Sequence, residues 1–129
     1  MAKVPTEHEE QAFLIRRAWF ERGKYPKLQL MFAVPNGGLR NKVVARKLKL
    51  EGLKAGVPDL ILPVARGGYF GFYLEMKRLK GSTTADEQKE WHAALQEEGY
   101  KVMVCKGAEV AWFELLEYLK MPKTDFKPV

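Results

Sequence analysis

Cysteine occurs once in the 129 residues, at Cys105. A single thiol excludes an internal disulfide and a cysteine-rich zinc site. Its apolar neighbours mark it as a core residue. Histidine occurs twice, at His8 and His92, without zinc-type spacing, so both are expected on the surface. No run of about 18 apolar residues is present, which argues against a membrane-spanning helix. Met1-Ala2-Lys3-Val4-Pro5 leads straight into charged residues, so no signal peptide is expected and the chain is expected in the cytoplasm. Repeats, low-complexity tracts and interdomain linkers are also missing. Residues 1–129 are therefore expected to form one domain, with a core over about 7–120 and a loosely held tail from Met121.

Acids are the scarcer charge. Sixteen stand against 22 lysines and arginines, for a net charge of +6. Excess positive charge favours a polyanionic partner through counterion release. The bases are also clustered. Arg40, Lys42, Arg46, Lys47, Lys49 and Lys54 crowd one segment, and Lys77, Arg78 and Lys80 another. Hydrophobic residues make up 47%, enough to argue against disorder.

The most informative residues lie between those two basic clusters. Gly56-Val57-Pro58-Asp59 opens a short apolar run ending at Val64, and Tyr69 to Lys77 forms a second, aromatic-rich run containing Glu75-Met76-Lys77. Arg66-Gly67-Gly68 between them favours a hairpin, with Gly67-Gly68 at its tip. If the turn centres on Gly67, Asp59 falls directly opposite Glu75, with Cβ atoms about 5 Å apart. Alternation then puts Tyr73, Glu75 and Lys77 on one face and Phe70, Phe72, Leu74 and Met76 on the other. Pro63 cannot donate to a ladder and marks an edge or a bulge. Two opposed carboxylates repel, and a divalent cation or Lys77 relieves this. Hard cations such as Mg²⁺ take one or two carboxylates plus water and phosphate oxygens. On so basic a chain, a phosphodiester is the natural substrate.

Around the hairpin the order reads helix, strand, helix, strand, strand, helix, strand, helix. Thr6 is a plausible N-cap for a first helix over about 7–22, with Phe13, Leu14, Ala18 and Trp19 inward. Leu28 to Val34 reads as a strand ended by Pro35-Asn36-Gly37-Gly38. Residues 40–51 read as a basic helix, with Val44 and Leu48 inward and Lys42, Arg46 and Lys49 sharing another face. Thr84-Ala85-Asp86-Glu87 reads as a capping box for a helix that ends at Gly99. A strand over Tyr100 to Lys106 and a helix over Ala108 to Lys120 follow, the latter with Val110, Phe113 and Leu116 or Leu119 inward. Trp19, Trp91 and Trp112 sit at packing positions. The fold class is α/β, a mixed sheet of about four strands flanked by helices.

Several further residues carry open readings. Glu10 extends the inward stripe of the first helix and would supply a third acid; Glu9 and Glu7 are rivals. An acidic first turn also suits the helix dipole. Gln88 heads the stripe of Trp91 and Leu95, either as a surface glutamine or as a partner for a site carboxylate or water. Asn36-Gly37-Gly38 is a turn whose glycines also permit close approach to phosphate, and Arg40 could clamp that phosphate.

The ordered set of Asn36-Gly37-Gly38-Leu39-Arg40, Gly56-Val57-Pro58-Asp59, Glu75-Met76-Lys77, Thr84 with Gln88, and Gly99-Tyr100-Lys101-Val102 resembles the VRR-NUC branch of the PD-(D/E)XK nucleases. It is most similar to the small single-domain members from phages and bacteria. The resemblance implies an αβββαβ core with the basic helix inserted after the first strand. It implies Mg²⁺- or Mn²⁺-dependent hydrolysis of DNA, leaving a 5′-phosphate and a 3′-hydroxyl, in a bacterial or phage-infected cell. Asp59, Glu75, the Met76 carbonyl and Glu10 would be metal ligands. Lys77 would orient and help deprotonate the attacking water, and Gln88 would complete the catalytic set. Asn36, Gly37, Gly38, Arg40, Lys42, Arg46, Lys49, Lys54, Arg78 and Lys80 would face DNA. The small members also resemble homodimeric junction resolvases, which implies a branched substrate and a homodimer. No small-molecule cofactor is implied.

Overall fold

The computed structural model describes residues 3–35 and 42–127. The expected DNA contacts at Asn36, Gly37, Gly38 and Arg40 lie outside them. The elements run α1 (Glu7–Phe20), a 3₁₀ turn (Pro26–Leu30), β1 (Phe32–Ala33), α2 (Lys42–Leu50), β2 (Leu60–Leu62), β3 (Phe72–Lys77), α3 (Asp86–Glu97), β4 (Lys101–Lys106) and α4 (Ala108–Lys120). Four strands form one sheet in the order β1-β2-β3-β4. The first two pairings are antiparallel and the last is parallel, so the sheet is mixed.

The hairpin register is the expected one. Leu60, Ile61 and Leu62 pair with Leu74, Tyr73 and Phe72. The next step of that register sets Asp59 opposite Glu75. Strand pairing stops at Leu62, one residue before Pro63, as the missing donor requires. The second strand begins only at Phe72, so residues 63–71 form a long connection and Phe70 lies outside the ladder.

One face of the sheet carries the apolar core. Phe72, Leu74 and Met76 are fully buried there with Leu14 and Ala18 of α1 and Ala111, Trp112, Leu115 and Tyr118 of α4. The Tyr118 ring packs 4.9 Å from Phe72, and its hydroxyl donates to the Val64 carbonyl at 2.6 Å. Cys105 joins this core, and burial pushes its thiol up to about 12. The opposite face of β3 presents Glu75 and Lys77 towards α3.

Five expectations need correction. Residues 28–34 do not form one strand: Pro26 opens a 3₁₀ turn through Leu30, and only Phe32 and Ala33 pair. An apolar run cannot by itself distinguish a strand from a buried turn. On α1 the phase is set by Leu14 and Ala18, which leaves Phe13 and Trp19 flanking the stripe at 51% and 55% exposure. Arg22 stacks on the Trp19 ring at 3.9 Å. On α4, Val110 and Phe113 point outward, and Trp112 and Leu115 take their place. On α2, Val44 is exposed and Leu48 only half-buried, so this basic helix contributes no buried residue. Residues 122–126 of the tail are not loose. Pro122 accepts from the Gly67 amide at 2.7 Å, the Thr124 hydroxyl donates to Tyr69 at 2.6 Å, and Phe126 stacks on Phe70.

Candidate active site

Local sequence fixes each wall of the site. Thr6 caps α1, and Glu9 completes its capping box by accepting from the Thr6 amide at 3.1 Å. That engagement takes Glu9 out of contention. Glu7 stands at the start of the same helix on the cleft side.

Gly56 has φ +88°, a left-handed conformation that glycine tolerates. A Cβ there would lie 2.8 Å from the Glu87 carbonyl carbon. The Gly-Val-Pro-Asp turn therefore rests directly on the first turn of α3, and this contact sets Asp59 beside β3. Gly56→Ala is expected to cost about 1–3 kcal/mol of stability from strained backbone alone. Urea unfolding would measure it, and a wild-type midpoint would count against this packing.

These elements enclose an open cleft of about 350 Å³ lined by Glu7, Asp59, Glu75, Lys77, Glu87 and Gln88, among others. Glu75 is 1% exposed and Lys77 6%. Asp59 Oδ2 accepts from the Met76 amide at 2.7 Å, which ties the two acid-bearing strands together at the site. The Met76 side chain is buried in the core, leaving only its backbone beside the cleft. Gln88 Oε1 accepts from Lys77 Nζ at 3.1 Å and from the Ala85 amide at 2.9 Å. One amide thus caps α3 and holds the lysine. The cap itself is Ala85, not Thr84, which stands before the helix.

The electrostatics follow from burial. Desolvation, a hydrogen bond with Asp59 and the Asp59 charge together push the Glu75 carboxyl up to about 9, although Lys77 pulls it down. Glu75 therefore keeps a proton at neutral pH unless a cation takes its place. Burial and the Lys77 charge hold the His92 imidazole below its usual range.

Two placements differ from those expected. Glu10 does not line this cleft: its Oε1 accepts from the Ala108 amide at 3.1 Å, satisfying the first turn of α4. The helix-borne acid at the cleft is Glu7 instead. Glu7 is seven residues before Leu14, so the same inward stripe could have pointed to it. His92 is not a surface residue; its Nε2 lies 3.7 Å from Glu75 Oε1. It follows Gln88 by four positions, one helical turn, which was the available signal. His8 is exposed, as expected. Lys42, Arg46, Lys49, Lys54, Arg78 and Lys80 are all exposed. Among the described residues no three His, Cys, Asp or Glu side chains form a ready cage for a metal ion. No helix of the described residues is long and apolar enough to cross a membrane.

A family model for the VRR-NUC domain matches residues 7–109. A solved structure described as a VRR_NUC domain protein superposes with a TM-score of 0.79 at 33% identity, covering 95% of each chain. No curated protein matches. The matched span contains every residue that lines the cleft, and with that agreement the chain belongs to the VRR-NUC nuclease family.

Proposed function

We propose that this protein is a Mg²⁺- or Mn²⁺-dependent DNA endonuclease of the PD-(D/E)XK type, selective for branched DNA and acting as a homodimer. The observation that carries the reading is the meeting of Asp59, Glu75 and Lys77 in one cleft beside Gln88.

The donor set suits a hard cation. Burial beside Asp59 raises the Glu75 carboxyl, and Glu75 Oε1 is a buried oxygen with no hydrogen-bond partner. A cation with one or two carboxylate ligands and water needs no closed protein cage. Asp59, Glu75 and the Met76 carbonyl would hold it, with Glu7 reaching it directly or through water. Glu10 holds the Ala108 amide through Oε1, so only its second oxygen is open to the ion. The bound ion supplies Lewis acidity at the phosphodiester and an acidified water.

The chain's own residues do the rest. Lys77, held by Gln88, orients the attacking water and offsets charge developing on the phosphate. Asp59 and Glu75 would hold the ion where that charge develops. Cleavage leaves a 5′-phosphate and a 3′-hydroxyl. Exposed bases on α2 and at Arg78 and Lys80 offer phosphate contacts on either side of the motif. Asn36, Gly37, Gly38 and Arg40 are proposed to contact the same backbone. Phe13 and Phe20, seven residues apart and so on one face of α1, are exposed, and a second copy is proposed to cover that face.

Labelled linear, flapped and four-way DNA, incubated with Mg²⁺, Mn²⁺ or EDTA, test this directly. Cutting of the four-way form alone, lost in EDTA, is the expected result. Equal cutting of linear duplex removes the branch-selective reading. Activity that survives EDTA removes the metal.

A further inference from the structure

Among the described residues, Glu75 Oε1 and His92 Nε2 are buried side-chain atoms without a hydrogen-bond partner. They face each other at 3.7 Å. A buried polar atom left unpaired costs about 1–3 kcal/mol, so two opposed ones demand a reason. The separation is too long for a hydrogen bond, yet a shift of less than an ångström would close it.

Their placement follows from a match of two repeats. Four residues along a helix advance about 6 Å, and two residues along a strand about 6.6 Å. On α3, Gln88 and His92 are four apart. On β3, Lys77 and Glu75 are two apart. Gln88 stands at Lys77, bonded at 3.1 Å, and His92 stands at Glu75. The helix thus addresses the two charged groups one for one. Gln88 can only accept from the ammonium through its oxygen. His92 offers an N–H, which is what a carboxylate accepts.

We propose that His92 is a positioning residue: its Nε2–H donates to Glu75 Oε1 and turns the other carboxylate oxygen towards Asp59 and the cleft. The inference rests on the metal-dependent reading above. Groups of this kind, hydrogen-bonded to a metal-ligating carboxylate, orient it and tune its affinity. His92 touches neither ion nor DNA in this role.

The test compares wild type, H92L, H92A and H92Q as full-length protein. Calorimetric titration with Mn²⁺ reads the ion alone, without DNA. Removing the donor in H92L and H92A is expected to weaken Mn²⁺ binding about 10- to 100-fold. H92Q keeps an N–H at the same reach and is expected to stay within about threefold of wild type. Metal-free H92L is expected to melt no lower than wild type, because it removes a buried nitrogen that has no hydrogen-bond partner. In cleavage assays the Mn²⁺ requirement of H92L rises, and saturating Mn²⁺ restores most of the rate. Unchanged Mn²⁺ affinity in H92L and H92A overturns the proposal and leaves the nuclease reading intact. So does H92Q binding as weakly as H92L. A lowered melting point in metal-free H92L marks a merely structural histidine and overturns it too. A wild-type chain that takes up no Mn²⁺ overturns this inference and the metal reading together.

Discussion

Glu75→Gln is expected to abolish cleavage and, at pH 8 without divalent ions, to raise the melting temperature. The two effects share one cause. Glu75 is buried against Asp59, and its carboxyl is pushed from the usual 4.5 up to about 9. The unfolded chain releases this proton near pH 4.5, the folded chain only near pH 9. Between those limits the unfolded state binds fewer protons, so rising pH favours unfolding. Stability from this group is complete below about pH 4.5 and declines as pH climbs towards 9. The amide variant has no such proton and escapes the decline. Thermal melts from about pH 5 to about pH 9 in chelator should slope downward for wild type and flatten for Glu75→Gln. Added Mn²⁺ should stabilise wild type by mass action and leave the variant unmoved. Catalysis pays for this relief: losing a carboxylate ligand removes several kcal/mol of transition-state stabilisation, a drop of about 10³-fold or more. Equal pH slopes in the two proteins, or a variant that still cuts, would discredit the assignment of Glu75.

Lys77→Ala is expected to lower the cleavage rate by about 10³-fold while DNA affinity changes less than about threefold. Lys77 is 6% exposed and bonded to Gln88, so it cannot act as one more phosphate contact on an open surface. Its ammonium can only serve inside the cleft, where a fixed charge counts for far more than in water. Surface bases such as Arg46 and Lys49 should behave in the opposite way, with weaker binding and a shallower salt dependence. Lys77→Met keeps much of the stem's packing and separates lost charge from a created cavity. Arginine should not rescue, because its planar fork does not fit a point-charge site. Band-shift titration in EDTA and single-turnover cleavage provide the two readings. A Lys77→Ala protein that fails to bind DNA at all would move this lysine from chemistry to recognition.

The catalytic strand pair is legible in the sequence because its signal is local. Alternation over Tyr73, Glu75 and Lys77 and a Gly-rich connection specify one register, and a slip of a single residue would bury the wrong set. The helix-borne acid is harder to read. Glu7, Glu9 and Glu10 all sit in one turn, yet Glu7 lines the cleft, Glu9 completes the cap and Glu10 bonds the Ala108 amide. Only tertiary contact separates those three roles. The start of α3 differs from the expected one by a single residue because Gln88 reaches back to the Ala85 amide and leaves Thr84 outside. His92 looks solvent-facing when it is read alone, because its spacing signal is the i+4 relation to Gln88. Its proximity to Glu75 comes from how α3 lies across β3, which composition does not encode. The Leu28–Val34 run misleads for a simpler reason: Pro26 starts a tight turn, and the apolar residues after it bury equally well in either backbone form.

The segment that follows α4 ties the fold together across a long stretch of sequence. Its backbone at Pro122 and Thr124 and the Thr124 hydroxyl engage Gly67, Ala65 and Tyr69, all in the connection between the two acid-bearing strands. Residues 122–124 are thus a clasp on a connection about 55 positions earlier in the chain. Until they emerge, the connection from β2 to β3 lacks these partners, and the nascent chain cannot complete this part of its native bonding.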